Sequence, residues 1–413
     1  MRTLRTPCLF LTLAALAPQS PHYMPNANAV LHWNRVTAAA FAAANTDPVT
    51  ESRALAIVQL AVYDAMKSID AVTRAHAAPA PSMDAAIATA AHDAAISFLP
   101  GARDSLDEEL VSALEPIADN AARRQGIDIG RARATAMLAS RAHDGSDRKV
   151  DLQPGAKPGE YRPTPPDFTP AWMAQWSSVT PFSLRSCDQF RPPAPPAVDG
   201  PLARHEVEQL RRIGGQAESA RNDEQNQIAQ FWYENSPQGW NRIACRVAES
   251  QELDAFASAR LLALVNLAMA DGFIASFDAK YHYGYWRPAT AVRAAGEREW
   301  LSFLGTPPIP DYPSAHTVLG AAAATVLARF FDNDFIAFET TSGQPYPGLT
   351  RRFWSFSDAA CENGASRVLA GLHFPTAVRA GYQLGEDVGT WVFEHALLPR
   401  DEKAAAAPAS AAR

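Results

Sequence analysis

Apolar residues recur at three- and four-residue steps along most of this chain, which is the spacing of one helix face. In residues 50–70 the repeat is carried by Leu55, Val58, Val62, Ala65 and Ile69. Alanine-rich segments of helical character follow at about 82–98, 103–118 and 127–144, and further helices are predicted near 203–216, 219–234, 252–279, 314–331 and 378–396. Strand-length runs of alternating apolar and polar residues are scarce. The 413 residues therefore predict a large all-α protein.

Two proline-rich segments, residues 155–172 and 187–201, interrupt this pattern. Proline lacks the backbone N–H and clashes with the preceding helical turn, so neither segment is interior helix. Long loops of this kind in a compact helical protein often form lids or cleft walls, which is the interpretation adopted here. The alternative is a true domain boundary near 150–200. We expect an N-terminal helical part at 30–200, a helical bundle at 201–398 and a disordered tail at 399–413, which has no large apolar side chain.

Residues 1–29 have the features of a secretory signal peptide. Two arginines precede the apolar run of residues 8–17, and Ala27-Asn28-Ala29 offers a small-x-small cleavage site. The run is roughly half of the ~20 apolar residues that span a bilayer. We therefore expect a periplasmic or secreted protein that begins near Val30. No later segment is expected to span a membrane, because Asn266, Asp271 and Gly272 interrupt residues 261–277.

Composition excludes several classes of partner and site. The formal net charge is −7, whereas nucleic acids and anionic membranes select clustered Lys and Arg. After removal of the signal, Cys187, Cys245 and Cys361 are left, with no CxxC pair, so a zinc ribbon or redox motif is not supported. No HExxH sequence is present either, which argues against a zinc hydrolase.

Three separated stretches carry groups that bind anions. The first holds Lys280 and Arg287, seven residues apart, which places them nearly two turns apart on one helix face if the preceding helix continues. Both cations then point into one cleft. The alternative for this stretch alone is a solvated pair of surface charges.

In the second stretch, several prolines precede Ser314, Ala315 and His316, which then begin a helix. Free N–H groups and the dipole at a helix N-terminus favour an anion. The third stretch holds Arg367 and His373, so a guanidinium can grip two oxygens while an imidazole faces the central atom. Taken alone, each of these residues is more simply a cap or a structural side chain, and only their conjunction indicates an oxyanion pocket.

The three stretches read K-x6-R-P at 280–288, P-S-A-H at 313–316 and S-R-x5-H at 366–373. In this order they resemble the signature shared by vanadium-dependent haloperoxidases and type 2 phosphatidic acid phosphatases, a superfamily that includes bacterial acid phosphatases. Residues 30–48, 231–244 and 306–316 are also similar to bacterial haloperoxidase-like members. The resemblance covers most of residues 30–395 and implies two helix bundles joined by long proline-rich loops, as in vanadium chloroperoxidase and the type 2 acid phosphatases.

The resemblance also implies a role for each matching residue. His373 corresponds to the histidine that bonds to vanadium in haloperoxidases and attacks phosphorus in phosphatases. His316 corresponds to the acid–base histidine at the opposite apex. The oxyanion is bound by Lys280, Arg287, Arg367, Ser314 and the backbone at Ala315. One pocket can serve both chemistries, because five-coordinate vanadate resembles the transition state of phosphoryl transfer.

Three positions bear on these expectations. Ala315 replaces the usual glycine and adds a methyl beside the oxyanion. Ala377 stands four residues after His373, where many members have an aspartate that orients the histidine, so the second ring nitrogen needs another acceptor. Ile309, five residues before Ser314, occupies the halide-pocket position where fungal chloroperoxidases have Phe and algal bromoperoxidases have His. An apolar side chain at this position does not indicate which halide is oxidised.

The function indicated first is a vanadate-dependent haloperoxidase, which uses peroxide for the two-electron oxidation of a halide, assisted by His316 and Lys280. The alternative within the superfamily is a metal-free acid phosphatase that forms a phosphohistidine at His373 and needs no cofactor. A third hypothesis, motivated by Ala315 and Ala377, is a degenerate protein that only binds phosphate or vanadate. The substrates are small molecules in the first two cases: peroxide and halide, or a phosphate ester. The oligomeric state is not indicated by the sequence.

Overall fold

Helices account for nearly all of the regular structure in a computed structural model that describes residues 28–75 and 80–398. The predicted signal at 1–29 lies outside the described residues except for Asn28 and Ala29, and the tail at 399–413 lies wholly outside them. Thirteen α-helices are present in the described part: α1 Ala29–Ala43, α2 Pro48–Arg74, α3 Met83–Ala95, α4 Arg103–Leu114, α5 Ala121–Ser140, α6 Pro201–Ile213, α7 Asp223–Phe231, α8 Ser236–Ser250, α9 Ala255–Tyr283, α10 Pro288–Ala294, α11 Ala315–Phe330, α12 Phe356–Leu369 and α13 Pro375–His395. The all-α prediction is confirmed.

Strand structure among these residues is one antiparallel hairpin, β1 Phe338–Thr341 and β2 Thr350–Phe353, with Phe338 opposite Phe353. Four helices were not predicted from periodicity: α1, α8, α10 and α12. Helix α10 has only seven residues, too few for a repeat, and α12 is rich in small and polar residues that blur its apolar face.

The long helix α9 is the centre of the protein. By length and composition it could cross a membrane, so the expectation that no later segment is apolar enough was wrong. However, 94% of its most apolar window is buried inside the protein, because α2, α11 and α13 all pack against it. A helix that is apolar on every side is typical of a protein core as well as of a membrane.

The two polar residues that interrupt α9 are both buried and bonded. The carboxylate of Asp271 accepts the backbone N–H groups of Phe182, Ser183 and Leu184 at 2.7, 2.8 and 3.0 Å. The amide of Asn266 donates to the Asn241 side chain on α8 at 2.8 Å. These polar groups therefore fasten α9 to its neighbours instead of exposing it to water.

One hydrophobic core runs through both predicted halves of the chain. It includes residues of α1 to α3, such as Trp33 and Ile87, together with Leu262 of α9 and Leu319 of α11. Helix α11 packs most extensively on α13 and also on α9 and α12. The division at residue 200 stays a prediction, but the two parts are joined by this shared core.

The first proline-rich segment covers the end of α9. The N–H of Tyr161 donates to the carbonyl of Gly284 at 2.7 Å, and the N–H of Trp286 donates to Gly159 at 2.9 Å. Further along, the N–H of Trp172 donates to the carbonyl of Pro308 at 3.0 Å. The segment is thus tied to the residues that flank two of the three anion-binding stretches, as expected of a cleft wall.

The start of α1 bears on the expected signal cleavage. The side chain of Asn28 caps α1 by accepting from the N–H groups of Val30 and Leu31, and its amide donates to Ser258 on α9 at 2.8 Å. Cleavage after Ala29 removes this cap, which is worth about 1 kcal/mol. The cleavage site and export itself stay predictions.

Candidate active site

A cavity of about 310 Å³ lies where α9, α11 and the α12–α13 turn meet. Six of the eight residues singled out in the sequence line it: Arg287, Ile309, Ala315, His316, Arg367 and His373. The other two, Lys280 and Ser314, are fully buried behind its wall. The three stretches are therefore brought together, although they span more than ninety residues of chain.

Arg287 is fully buried at the entry to α10 and is held by backbone oxygens. Its Nε donates to the carbonyl of Ile309 at 2.7 Å and its Nη1 donates to the carbonyl of Leu372 at 2.9 Å. Its Nη2 has no hydrogen-bond partner among the described residues. One face of the guanidinium is fixed, and the other is free to bind a ligand.

Arg367 has a similar arrangement near the end of α12. It is 4% exposed, its Nε donates to the Ser366 hydroxyl at 2.9 Å, and its Nη2 has no partner within the described part of the chain. Its guanidinium carbon lies 6.0 Å from the centre of the Tyr233 ring. Burial lowers the pKa of Arg367 to about 9, which still leaves it positively charged at neutral pH.

Two buried, partnerless guanidinium N–H groups on one cavity fit a bound oxyanion. A buried donor without an acceptor costs free energy, and native proteins rarely leave one unpaired. Phosphate and vanadate supply several oxygens that can accept from both arginines at once. The donor set therefore fits vanadate or phosphate on chemical grounds.

Lys280 was expected to contact the oxyanion, and the structure gives it a different set of partners. Its Nζ donates to the carbonyls of Pro310 and Asp311 at 2.7 and 2.9 Å. Burial lowers its pKa well below the usual value, and the nearby Arg287 lowers it further. Lys280 contacts the segment behind the cavity, because the last turn of α9 directs it there.

Ser314 is the N-cap residue of α11, as predicted, but its side chain does not cap the helix. Its hydroxyl accepts from the Thr317 hydroxyl at 2.9 Å, and its N–H donates to the carbonyl of Ala377 at 2.9 Å. The first turn of α11 is thus not capped by this side chain, and its N-terminus faces the cavity through Ala315 and His316. That is the geometry of a helix-dipole anion site.

His316 lies on the wall formed by α8 and α11. Its Nδ1 is 2.7 Å from the Ser236 hydroxyl, and a hydrogen bond with the backbone of Trp232 also holds the ring. Burial lowers the pKa of His316 well below its usual value, and the Arg367 charge lowers it further. The imidazole is neutral at pH 7 and able to accept a proton. Ser236 was not found from the sequence, because its partner is eighty residues away.

His373 faces a buried carboxylate. Its Nδ1 lies 2.9 Å from Oδ1 of Asp311, and Arg287 Nη1 is 3.1 Å from Nε2. The 2.9 Å separation from Asp311 lies within the range of a hydrogen bond or ion pair. Burial lowers the pKa of His373 well below its usual value. The nearby charges of Arg287, Lys280 and Arg367 lower this pKa further. Burial raises the pKa of Asp311 to about 7, against the lowering effect of Arg287 and Lys280.

The turn between α12 and α13 sets the position of His373. Gly371 has φ +75°, and a Cβ there would lie 2.1 Å from the carbonyl oxygen of Gly214. Just beyond, the buried carboxylate of Glu206 accepts from the N–H of Thr376 at 2.8 Å and so caps α13 from a different helix. The strained turn and this cap hold the histidine between them.

The remaining wall of the cavity is largely apolar. Trp172 from the proline-rich segment, Phe273 and Phe277 of α9, and Val49 of α2 contribute to it together with Ile309. Ile309 lines the cavity as expected of a halide-pocket residue. An apolar wall next to two cations excludes water and strengthens their electrostatic effect on a bound anion.

Metal-ligand clusters are absent from residues 28–75 and 80–398, where no group of three or more His, Cys, Asp and Glu could hold a metal ion. Cys187, Cys245 and Cys361 are all unpaired in the same part of the chain. Vanadate needs no such cluster, because one histidine and a set of cationic donors can hold it as an anion.

Comparison with known proteins agrees with this geometry. Residues 260–401 match the family model of the vanadium chloroperoxidase (VCPO) second helical-bundle domain. The vanadium chloroperoxidase of Curvularia inaequalis is 28% identical over 198 aligned residues, which cover 33% of this chain and 32% of that protein. The chain thus spans about a third of the length of this curated relative.

Solved structures extend the likeness to most of the chain. The crystal structure of the first bacterial vanadium-dependent iodoperoxidase is 25% identical, with a TM-score of 0.79, covering 91% of this chain and 97% of that one. A holo-type bacterial vanadium-dependent chloroperoxidase is 21% identical with a TM-score of 0.66, covering 84% and 92%, which supports the fold. The chain therefore has the vanadium haloperoxidase fold, and its residues 260–401 are similar to the second helical-bundle domain of vanadium chloroperoxidase.

Proposed function

We propose that this protein is a vanadate-dependent haloperoxidase. The observation that carries the proposal is the pair of buried guanidinium groups, on Arg287 and Arg367, whose free N–H groups face a cavity that also holds two imidazoles. This set offers positive charge and free N–H donors to an oxyanion such as orthovanadate. The likeness to the bacterial iodoperoxidase along most of both chains favours peroxidase over phosphatase chemistry.

Each residue then has a defined task. Arg287 and Arg367 would donate to the oxygens of the bound anion, and the N-terminus of α11 at Ala315 adds a partial positive charge. His373 would hold the anion through Nε2, which now lies 3.1 Å from Arg287 Nη1. Vanadate, when bound, supplies a Lewis acid that activates hydrogen peroxide for two-electron oxidation of a halide.

His316 moves protons on the other side of the cavity. As a neutral imidazole it can accept a proton from peroxide, and Ser236 at 2.7 Å holds the ring in place. An anion next to it stabilises the protonated form, so the same ring can return the proton later. Lys280 acts indirectly, because its Nζ donates to the carbonyls of Pro310 and Asp311.

Iodide is the halide that this proposal places first. It is the most easily oxidised of the three common halides, and the solved relative that this chain covers to 97% is an iodoperoxidase. Ile309 adds an apolar contact to the cavity and no hydrogen-bond donor from its side chain. A large, weakly hydrated anion suits such a wall better than chloride.

The second candidate is a metal-free phosphatase, because the same donors fit phosphate and a neutral His373 can act as a nucleophile. One preparation, split in two, separates the proposals. The metal-free half is assayed for hydrolysis of phosphate esters, and the half loaded with orthovanadate is assayed for peroxide-dependent oxidation of iodide, bromide and chloride. We expect oxidation by the loaded half only, with iodide the best substrate.

A control preparation of Arg367→Met removes one of the two free guanidinium groups and should lose both vanadate binding and oxidation. Hydrolysis by the metal-free half, without oxidation by the loaded half, would establish the phosphatase instead. Binding of vanadate without either activity would favour the degenerate anion-binding protein.

A further inference from the structure

A buried aspartate that no anion-binding stretch of the sequence contains lies against the proposed vanadate ligand. Oδ1 of Asp311 is 2.9 Å from Nδ1 of His373, and the two residues are 0% and 4% exposed. Arg287 Nη1 lies 3.9 Å from the same carboxylate oxygen. The backbone of Phe374, the residue after His373, also hydrogen-bonds to this carboxylate. Of the two side chains, the imidazole lies nearer to the carboxylate than the Arg287 guanidinium does.

Ala377 cannot take this role. It occupies the position, four residues after His373, where an aspartate was expected to orient the histidine. Its methyl is buried, and its carbonyl accepts the N–H of Ser314 at 2.9 Å. The second nitrogen of His373 thus needs an acceptor from another part of the chain, and Asp311 provides one from 62 residues upstream.

The backbone that carries Asp311 is held from several directions. Its N–H donates to the carbonyl of Tyr285 at 2.9 Å, and its carbonyl accepts from Lys280 Nζ at 2.9 Å. Arg287 Nε donates to the carbonyl of Ile309 at 2.7 Å, two residues before it. The two cations of the first stretch thus fix the segment that presents the carboxylate to the histidine.

We propose that Asp311 is the positioning residue of His373: it accepts the Nδ1 proton and leaves Nε2 unprotonated and directed into the cavity. This inference rests on the proposed function and deepens it, since a histidine bonds to an oxyanion centre only through a free nitrogen lone pair. Lys280 supports the arrangement through the backbone.

Vanadate affinity, measured by equilibrium dialysis, is the first test. Removing an outer partner of a metal-binding histidine typically costs about 10–100-fold in affinity. We expect Asp311→Ala to lose binding by this factor, and Asp311→Asn, which keeps the shape and one acceptor, to lose about tenfold. The matched control is Asp271→Asn, the same change at a buried aspartate of α9 that faces the backbone of residues 182–184, and it should bind vanadate as the wild type does. Binding by Asp311→Asn within twofold of wild type would overturn the proposal.

The second test needs no vanadate. In protein labelled with 15N-histidine, two-dimensional NMR reports which ring nitrogen of His373 carries the proton, and the His373→Gln variant identifies the signal. We expect the wild type to be protonated at Nδ1, and Asp311→Ala to shift towards the Nε2-protonated form. A wild-type ring protonated at Nε2, or a tautomer unchanged by Asp311→Ala, contradicts the role of Asp311. The expected tautomers together with a wild type that binds no vanadate would uphold the pairing and reject the haloperoxidase function.

Discussion

The two histidines of the cavity differ in what holds them. His316 is fixed by a hydroxyl and a backbone group, with Arg367 as its nearby charge. His373 lies between a carboxylate and a guanidinium, with Nδ1 towards Asp311 and Nε2 near Arg287. A histidine paired with a carboxylate is suited to bonding through its other nitrogen, and one paired with a hydroxyl is suited to proton transfer.

This difference predicts separate effects of removing each ring. His373→Ala should abolish vanadate retention, since His316, the other imidazole on the cavity, is held by Ser236 on a different wall. His316→Ala should keep the bound anion through Arg287 and Arg367 but lose about 10²–10⁴-fold in turnover, the usual contribution of positioned proton transfer. Equilibrium dialysis with vanadate and a halide oxidation assay on both variants measure the two effects.

The control for both is His282→Ala, which removes an exposed imidazole from the same α9 turn as Lys280 and should change neither quantity. An equal loss of vanadate binding in the His316 and His373 variants would show that the two rings do not have the roles assigned to them.

Among the elements, the turn from α12 to α13 is the one on which the site most depends. Helix α12 ends at Leu369 and α13 begins at Pro375, so five residues reverse the chain and present His373. The turn is packed against the residues that follow α6, where the backbone of Gly214 leaves no room for a side chain on Gly371. A short turn held this tightly has one conformation in which to place its histidine.

We predict that Gly371→Ala disrupts both stability and the site. A methyl there meets the Gly214 carbonyl at 2.1 Å and is added to a residue with φ +75°, so the turn must shift and carry His373 with it. The matched control is Gly296→Ala, where φ is +120° but nothing lies within 4 Å. The control should lose only the ~1 kcal/mol of backbone strain, and Gly371→Ala should lose more and also bind vanadate weakly.

Denaturant unfolding and vanadate dialysis on the two variants measure these effects. A Gly371→Ala protein that is as stable as the Gly296→Ala control and binds vanadate normally would mean that the turn adapts without moving the histidine.

Across the whole molecule, buried polar groups connect helices that are far apart in the chain, such as α2 and α8. The carboxyl of Glu51 on α2 accepts from the amide of Asn235 at 2.6 Å and from Gln238 on α8 at 3.1 Å. Burial raises the pKa of Glu51 to about 8, although both hydrogen bonds act in the opposite direction. Folding thus keeps a proton on this carboxyl at pH 7, where the unfolded chain releases it.

A pH dependence of stability follows from this shift. The pKa of Glu51 is higher in the folded than in the unfolded protein, so its contribution is fully present below about pH 4.5 and is lost as the pH rises towards 8. Glu51→Gln keeps an acceptor oxygen for Asn235 but cannot ionise. The free energy of unfolding of this variant should therefore fall less than that of the wild type between pH 5 and 8, as measured by urea denaturation. Parallel pH profiles for the two proteins would exclude Glu51 as the source.

Much of the helical fold could be predicted from the sequence alone, because a helix buries one face and so repeats its apolar residues every three or four positions. This holds for α2, whereas α9, at the centre of the core, is apolar on every side. The order and spacing of the three anion-binding stretches likewise predicted five residues that line the cavity, and the family resemblance added Ile309. Such features are local: each depends on residues within a few turns of one another, or on a pattern short enough to be recognised by its spacing.

The tertiary structure alone determined which side chains of the site interact with one another. The spacing of Lys280 and Arg287 predicted that both side chains bind the same anion. In the folded protein, however, a segment thirty residues later packs against Lys280, and its backbone carbonyls accept hydrogen bonds from the Lys280 amine. The same segment brings Asp311 to His373, a pairing that no periodicity contains. Trp172 reaches the cavity only because its loop bonds to Pro308. Contacts between residues this far apart depend on how whole helices pack, and packing is set by shape and burial over the entire core instead of by the local order of residues.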